Sequence, residues 1–249
     1  MAKIDILGVK INTQSKEEIL EKVSKIAADN QKHYIVTPNP EFIVLAQKNK
    51  EFAAILNKAA LAIPDGIGLV WASRLLYGKR GCKERVAGVD LMTDICRIAP
   101  KNDWSVFLLG AKDGIAQKCA LNLKEKYGLN VLGTHSGWAD SSGDKENRKI
   151  IKEKIGQKSC HFIFVAYGAG KQEQWIRRNL EKIPVRVAVG VGGSFDFLSG
   201  RVKRAPRLFR DLGLEWLWRL SKEPWRWKRQ ISLLKFVFLV INKKLKNRP

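Results

Sequence analysis

The sequence lacks the features that mark secreted, membrane-spanning and zinc-binding proteins. Its four cysteines are widely spaced and never form a C-x-x-C pair, so neither a disulfide framework nor a zinc site is indicated. No apolar run is as long as a transmembrane helix. Charged residues among the first five positions interrupt the stretch that a signal peptide would need to keep apolar, so we expect a body that stays in the cytoplasm.

Internal repeats, low-complexity linkers and standard nucleotide motifs are missing as well. Gly170-Lys171 has neither the spacing of a Walker motif nor its following Ser or Thr. The glycine-rich segment 190–193 lacks the last glycine of G-x-G-x-x-G. What the chain does have is 249 residues with 45% hydrophobic composition, enough for one large core with or without an appendage.

Apolar runs of strand length alternate with helical patterns over the first 195 residues. Ser15 and Glu18 predict a capping box at the start of the first helix. Alternation of this kind predicts an α/β fold with a doubly wound, largely parallel sheet. The predicted strands are 4–8, 34–37, 60–63, 105–109, 130–134, 161–166 and 186–191, and the predicted helices lie near 16–29, 41–58, 66–77, 89–99, 113–127, 144–157 and 171–181.

Polar residues and glycines cluster where the predicted strands end, which is where ligands bind in a doubly wound sheet. Each of these segments also fits an ordinary turn or the start of a helix. Lys112 follows one strand and is predicted to lie at the N-terminus of the next helix, a position that suits a phosphate. The strand-end residues are Thr37, Asn39, Asp65, Gly110, Lys112, Gln172, Gly192 and Gly193.

The composition changes near residue 200. From Gly200 to Pro249 there are fifteen basic and three acidic residues, and four of the eight tryptophans lie among them. Basic charge mixed with Trp suits a membrane interface with anionic headgroups, and it can also bind nucleic acid. We therefore predict an α/β domain over residues 1–199 and a helical, basic, membrane-associating appendage over residues 200–249.

Periodicity within the appendage favours the membrane. Apolar residues recur every four positions from Leu208 to Leu220, which predicts one amphipathic helix over 207–220. The apolar segment 231–241 would be roughly 16 Å long as a helix, about half of a hydrocarbon core, so it cannot cross a bilayer. It could lie in the interface with Leu233, Phe236 and Val240 toward lipid, or form an ordinary buried helix.

Taken together and in order, the motifs resemble the WecG/TagA/CpsF family of glycosyltransferases, and the resemblance covers nearly the whole chain. One position departs from it, since family members usually have proline where this chain has Gly170. The matching segments are Thr37-Pro-Asn39, Pro64-Asp65-Gly66-x-Gly68, Glu84-Arg85-Val86-x-Gly88-x-Asp90, Gly168-x-x-Lys171-Gln172-Glu173, Gly190-x-Gly192-Gly193-x-Phe195-Asp196, Lys203-Arg204-Ala205-Pro206, Gly213-Leu214-Glu215-Trp216-x-x-Arg219-Leu220 and Glu223-Pro224-x-Arg226-x-x-Arg229.

The resemblance implies an inverting glycosyltransferase of the GT-E fold that needs neither a metal ion nor a cofactor. It implies transfer of N-acetylmannosamine from UDP-ManNAc to undecaprenyl-diphosphate-linked GlcNAc, forming a β-1,4 bond in wall teichoic acid linkage-unit synthesis. The sequence agrees in having no Asp-x-Asp to hold a metal on the diphosphate and an excess of Arg and Lys that could neutralise it. The lipid acceptor would also place the enzyme peripherally on the inner face of the cell membrane.

The same resemblance implies roles for the site residues. Asp65 would be the general base, with Thr37 and Asn39 orienting the sugar and the acceptor. Arg85 and Gln172 would hold the leaving diphosphate. The residues expected to contact the nucleotide are Gly110, Lys112, Gly192 and Gly193, and those expected to close over the site from the appendage are Arg219, Arg226 and Arg229.

Several alternatives stay open at this point. Arg85 could instead form a salt bridge with Asp90, and the appendage arginines could contact lipid nonspecifically. A family transferase with a different UDP-sugar would carry the same motifs. A nucleic-acid-binding protein would use the basic tail but would leave the strand-end motifs unexplained, so we expect no nucleic-acid partner. A homo-oligomer is compatible with the sequence.

Overall fold

The computed structural model describes residues 3–224 and 227–246, and of residues 228 and 229 it describes the backbone alone. The strands are β1 (Lys3–Ile6), β2 (Val9–Asn12), β3 (His33–Val36), β4 (Leu61–Ala62), β5 (Ser105–Gly110), β6 (Asn130–His135), β7 (Cys160–Ala166) and β8 (Val185–Gly190). The helices of the α/β body are α1 (Lys16–Ala28), α2 (Pro40–Lys48), α3 (Lys50–Lys58), α4 (Ile67–Tyr77), α5 (Gly88–Ile98), α6 (Ile115–Tyr127), α7 (Asp144–Ile155), α8 (Lys171–Asn179) and α9 (Ser194–Leu198). Three more helices follow, α10 (Arg207–Asp211), α11 (Glu215–Lys222) and α12 (Trp227–Lys246).

Strands β3 to β8 form one parallel sheet in the order β4-β3-β8-β7-β5-β6. Alternate side chains of a strand enter different cores, since Val187 and Val189 pack with α1, α5 and α6 while Ala188 packs with α7 and α8. Helices therefore cover both faces, and the predicted doubly wound α/β fold is confirmed. The predicted capping box is confirmed too, because Ser15 N–H donates to Glu18 and Glu18 N–H donates to the Ser15 hydroxyl.

The first predicted strand, 4–8, was wrongly assigned to the main sheet. Strands β1 and β2 form a separate antiparallel hairpin in which Ile6 pairs with Val9. Leu7 and Gly8 both adopt positive φ, 53° and 84°, the conformation that a two-residue hairpin turn requires. Asp5 stabilises this turn by accepting the Gly8 N–H at 2.9 Å.

Two predicted helices are each divided in the structure. The helix predicted over 41–58 breaks at Asn49, which leaves helical geometry and caps α3 by accepting the Phe52 N–H. The helix predicted over 207–220 is α10 followed by α11. The break lies at Gly213, where φ is +72° and where a Cβ would lie 2.8 Å from Ile67.

Helix α12 contains the apolar segment 231–241 and has two different apolar faces. Phe236 and Val240 are fully buried against a core that includes α2 and α4, so for these two side chains the expectation of lipid contact was wrong. A second stripe is exposed and consists of Ile231, Leu234, Phe238, Ile241 and Leu245. Within the described ranges, no helix combines the length and apolarity needed to cross a membrane.

Candidate active site

Asp65 and Thr37 meet at the carboxyl edge of the parallel sheet. They follow β4 and β3, and β8 lies next to β3. The Thr37 hydroxyl donates to the Gly190 carbonyl at 3.1 Å. A Cβ built on Gly88, at the start of α5, would lie 3.3 Å from Thr37 Oγ1 and 3.6 Å from Asp65 Oδ2. Both side chains therefore border one small space, and Gly88 leaves that space open.

The surroundings of Asp65 make its carboxyl group more basic than that of an ordinary Asp. Burial raises its pKa to about 6, while the Gly88 N–H and the Arg85 charge act in the opposite direction. The Gly88 N–H donates to Oδ2 at 3.2 Å, and the Asp65 backbone is fixed by donation to the Pro38 carbonyl. At pH 7 such a carboxyl group is mostly ionised and more basic than an ordinary Asp, which suits a proton acceptor.

Asn39 has a local structural role beside its expected one. Its Oδ1 accepts the backbone N–H groups of Glu41 and Phe42 at 2.9 and 3.2 Å and so caps α2. Its Nδ2 forms no hydrogen bond with the part of the chain that the structure describes. The amide nitrogen is therefore the atom that could donate to a ligand at this edge.

Arg85 belongs to an ion-pair network that joins α11 to the body. It pairs with Glu215 at 2.8 Å, and Glu215 also pairs with Arg204 at 3.0 Å. Arg204 in turn holds Asp90 through two hydrogen bonds of 2.5 and 2.7 Å. The alternative of a direct Arg85–Asp90 salt bridge was therefore wrong.

The arginines of this network keep Glu215 ionised. Burial alone would raise the pKa of Glu215, but its hydrogen bond and charge interaction with Arg204, and then those with Arg85, lower that pKa overall. Asp90, Arg204 and Glu215 were not among the predicted site residues. The signal that could have found them is their place inside the matching motifs, in which Asp90 follows Arg85 by five positions and Glu215 precedes Arg219 by four.

Gln172 lies behind the 190–193 turn with both ends of its amide engaged. Its Oε1 accepts the Gly192 N–H at 2.9 Å, and its Nε2 donates to Glu173 at 2.7 Å. Glu173, which sequence reasoning passed over, is fully buried, and this burial raises its pKa to about 7. These bonds use one of the two Nε2 hydrogens, so Gln172 could donate to a diphosphate only through the second.

Gly170 has a geometry that proline, the residue expected here from the resemblance, could not adopt. Its φ is +83°, whereas the proline ring fixes φ near −65°. Its N–H also donates to Glu173 at 2.8 Å, and proline has no such donor. The loop before α8 therefore differs here from a proline-containing one.

Arg219 of α11 reaches the turn formed by Gly192 and Gly193. A Cβ on Gly193 would lie 2.9 Å from an Arg219 guanidinium nitrogen, so the two groups are packed against each other. The guanidinium group also lies 4.9 Å from the Phe197 ring centroid and donates to Glu223 at 2.6 Å. Arg226 and the Arg229 side chain lie outside the described residues.

Gly110 and Lys112 lie farther along the same edge, at the end of β5. Gly110 has a φ of +107° and approaches β7 so closely that a Cβ would lie 2.8 Å from the Ala166 backbone. Lys112 is exposed in the loop before α6. It is not at the helix N-terminus as predicted, because α6 begins at Ile115 after a left-handed Gly114.

The end of β5 is nevertheless a favourable place for a ligand. Helices α6 and α8, which follow β5 and its neighbour β7, pack on opposite faces of the sheet. A crevice opens at such a switch point. Strand β5 is two strands from β8, roughly 10 Å away at the usual spacing, so a ligand of nucleotide size could span from this crevice to the 190–193 turn.

A carboxyl group beside cationic side chains, at the carboxyl edge of a doubly wound parallel sheet, defines an α/β enzyme suited to a phosphate-bearing substrate. No group of three or more His, Cys, Asp or Glu that could hold a metal ion occurs among residues 3–224 and 227–246.

The chain belongs to the Glycosyl transferase WecG/TagA/CpsF family, whose model matches residues 4–249. It is similar to proteins named N-acetylglucosaminyldiphosphoundecaprenol N-acetyl-beta-D-mannosaminyltransferase from three bacteria. The protein of Bacillus subtilis (strain 168) is 34% identical over 88% of this chain and 85% of its own length. That of Bacillus spizizenii is 37% identical over 85% and 80%, and that of Staphylococcus aureus (strain MRSA252) is 33% identical over 92% and 87%.

Proposed function

We propose that this chain transfers N-acetylmannosamine from UDP-ManNAc to GlcNAc carried on undecaprenyl diphosphate, in the synthesis of the wall teichoic acid linkage unit. The names of the relatives contain this acceptor and this sugar, and the shared family supports the same reaction here. The observation that carries the proposal is the meeting of Asp65 and Thr37 at an edge that Arg85 and Arg219 also approach.

Asp65 acts as the general base of a single inverting displacement. The acceptor hydroxyl gives its proton to the Asp65 carboxylate, its oxygen forms the β-1,4 bond to the anomeric carbon, and UDP leaves with the electron pair of the broken bond. The Thr37 hydroxyl, whose proton is donated to Gly190, presents its lone pairs toward the same space. Asn39 can donate from Nδ2 to a sugar oxygen.

Cationic side chains take the charge of the leaving diphosphate. Arg85 pairs with Glu215 and Arg219 pairs with Glu223, and these ion pairs fix the orientation of both guanidinium groups at the site. Arg226 and Arg229 complete this set from the appendage. Gly110, Lys112 and the Gly192-Gly193 turn contact the nucleotide, and the reaction uses no metal ion or cofactor.

The polyprenyl chain of the proposed acceptor lies in a membrane, so the enzyme has to contact the membrane surface. The exposed stripe of α12 has spacings of three and four residues and is about 21 Å long, enough to lie along an interface. Lys235 and Lys244 flank the stripe. Anionic headgroups would neutralise these lysines, whereas pairing two copies through this face would bring like charges together.

The location that follows is peripheral, on the inner face of the cell membrane, where UDP-sugars are available. Residues 200–249 are thus a membrane-associating appendage through the exposed stripe of α12. They also complete the active site, through Arg204, Glu215 and Arg219. If the chain forms a homo-oligomer, we expect it to use another surface.

Product analysis tests the proposal directly. The purified chain is offered UDP-ManNAc, UDP-GlcNAc, UDP-GalNAc and UDP-glucose in turn, with a short-chain GlcNAc-diphosphate-lipid as acceptor. We expect a disaccharide from UDP-ManNAc alone, with a β-1,4 bond by NMR. A product from another donor would identify the alternative, a family transferase of different sugar specificity.

A further inference from the structure

Two neighbouring side chains at the start of α8 connect two loops of the carboxyl edge through a continuous run of hydrogen bonds. The Gly170 N–H donates to Glu173 Oε2 at 2.8 Å, and Gln172 Nε2 donates to Glu173 Oε1 at 2.7 Å. The Gly192 N–H then donates to Gln172 Oε1 at 2.9 Å. Both side chains are almost completely buried, at 1% and 0% exposure, so solvent does not compete for these bonds.

The carboxylate determines which way the Gln172 amide points. Both Glu173 oxygens accept hydrogen bonds, so the group that faces them must be the Gln172 NH₂. The Gln172 carbonyl is thereby turned toward the turn, where it meets the Gly192 N–H. No Lys or Arg among the described residues forms an ion pair with Glu173, so Gln172 and nearby backbone N–H groups are the donors that its carboxylate faces.

The turn that is held in this way touches the active site on two sides. The Gly190 carbonyl receives the Thr37 hydroxyl, and Gly193 packs against the Arg219 guanidinium. The contact is tight from behind as well. A Cβ on Gly190 would lie 2.6 Å from Glu173 Oε1 and 2.7 Å from Gln172 Nε2, so the end of β8 rests directly on the pair.

We infer that Glu173 is a positioning residue of the transferase, which acts through Gln172 to hold the 190–193 turn in the shape that seats both Thr37 and Arg219. In this role Gln172 acts from behind the turn. The inference rests on the proposed function for its activity readout, but the state of the turn can be measured without any substrate.

The test compares Glu173→Gln with the double variant that combines Gln172→Glu and Glu173→Gln. In the single variant two amides face each other, so one buried donor loses its acceptor and the Gly192 bond is lost or weakened. We expect kcat/KM for transfer to fall by roughly tenfold or more, as for one buried charge-assisted hydrogen bond.

The double variant keeps the charge and supplies every acceptor again. The carboxylate, now at position 172, accepts both the Gly192 N–H and the NH₂ of the amide now at position 173. The carbonyl of that amide accepts the Gly170 N–H. We expect kcat/KM to return to within about threefold of the wild-type value, which simple damage to the core would not allow. A double variant as slow as the single one would overturn the inference.

Hydrogen exchange of the Gly192 amide, followed by NMR on protein labelled with ¹⁵N-glycine, gives the substrate-free readout. We expect a protected amide in the wild type, exchange at least about tenfold faster in Glu173→Gln, and restored protection in the double variant. The matched control is Asn179→Asp, a buried amide–carboxyl exchange on the same helix that has no contact with the turn. It should change neither Gly192 exchange nor transfer beyond about twofold.

The outcomes separate the two proposals. If the wild type transfers no N-acetylmannosamine, the proposed function fails and Gly192 exchange alone judges the positioning role. An unprotected Gly192 in the wild type, or a fully active Glu173→Gln, overturns that role whatever the sugar. If Glu173→Gln does not fold, a folded double variant with an unprotected Gly192 or low transfer overturns it as well.

Discussion

A carboxyl group that accepts a proton near neutral pH has to be ionised there and yet hold protons better than a free Asp. Asp65 meets both conditions because burial works against the Gly88 hydrogen bond and the Arg85 charge, leaving a pKa of about 6. Glu215 and Asp90 add a smaller contribution that raises it further. The residues that hold α11 in place thus also tune the base.

Replacing this base should separate chemistry from binding. We expect Asp65→Asn to lower kcat by about 10² to 10⁴-fold, the usual contribution of a general base, because the amide keeps the size and the Gly88 contact but cannot take a proton. The dissociation constant of UDP, measured by calorimetry, should change by only a few-fold. A folded variant that kept more than a third of the wild-type kcat would exclude Asp65 as the base.

The same pKa predicts how transfer depends on pH. Asp65 is mostly protonated below pH 6 and cannot then accept the acceptor's proton, so kcat/KM should rise with pH and level off above about 6. Initial rates from about pH 5 to 8 with the short-chain acceptor measure this rise in kcat/KM. The residual activity of Asp65→Asn should lack this rise.

At the scale of elements, helix α11 is attached to the body by charge. Glu215 accepts from both Arg85 and Arg204, and these groups are mostly shielded from solvent. Neutralising it leaves two cations without a partner in a half-buried place, which disfavours the attached position of α11. The exposed pair of Arg207 and Asp211 on α10 has no such consequence.

We therefore expect Glu215→Gln to lower transfer by at least about tenfold, since Arg85 loses its partner and α11, which carries Arg219, loses its attachment to the body. Trypsin should also cleave faster within residues 203–222, as judged by mass spectrometry of early fragments. Asp211→Asn, the control, should match the wild type in both measurements. Equal protease resistance in Glu215→Gln and the wild type would show that the network does not hold the helix.

Helix α12 allows membrane contact and folding to be tested separately, because its two apolar faces differ. We expect Leu234→Ser combined with Phe238→Ser, on the exposed stripe, to reduce sedimentation with anionic liposomes and to spare turnover of a short soluble acceptor. Phe236→Ala, on the buried face, should instead lower stability by about 3 to 5 kcal/mol. Thermal unfolding distinguishes the two, and unchanged liposome binding in the double variant would contradict the membrane role of the stripe.

The sequence predicts regular elements well where one physical signal dominates. The buried parallel strands and the Ser15 capping box follow from apolar periodicity and cap chemistry, and both are found. Failures occur where backbone conformation decides, as at Leu7-Gly8, Asn49 and Gly213. Positive φ at a Leu or a cap in the middle of a helical pattern is set by tertiary packing, so local composition does not reveal it.

The sequence predicts where the site residues lie better than it predicts which residues they contact. The topology of a doubly wound sheet brings Thr37, Asp65 and the 190–193 turn to one edge, as strand ends must come together there. Which cation pairs with which carboxylate depends on contacts between residues far apart in the chain, such as Arg204 with Asp90. Contacts between residues so far apart in the chain produce no periodic pattern in the sequence.

At the scale of the whole molecule, the charge of +22 bears on how the diphosphate is neutralised. Cations are abundant, and no acidic cluster of metal-binding size occurs in the described part of the chain. We expect transfer to continue at the same rate in excess EDTA and to gain nothing from added Mg²⁺ or Mn²⁺, because Arg side chains serve the leaving group. A strict requirement for either ion would contradict the proposed role of Arg85 and Arg219.

The position of α12 in the core has a consequence for synthesis. The ribosome makes this helix after α2, α4 and the β1–β2 hairpin, yet Phe236 and Val240 complete the core that these elements share, and Lys243 pairs with Asp5, 238 residues earlier in the chain. A nascent chain released or stalled before residue 236 therefore exposes an unfinished core and carries little of its apolar outer stripe. Synthesis of α12 therefore completes this core and supplies the exposed stripe in the same step, so a chain that has not yet closed its core also lacks most of the stripe proposed to contact the membrane.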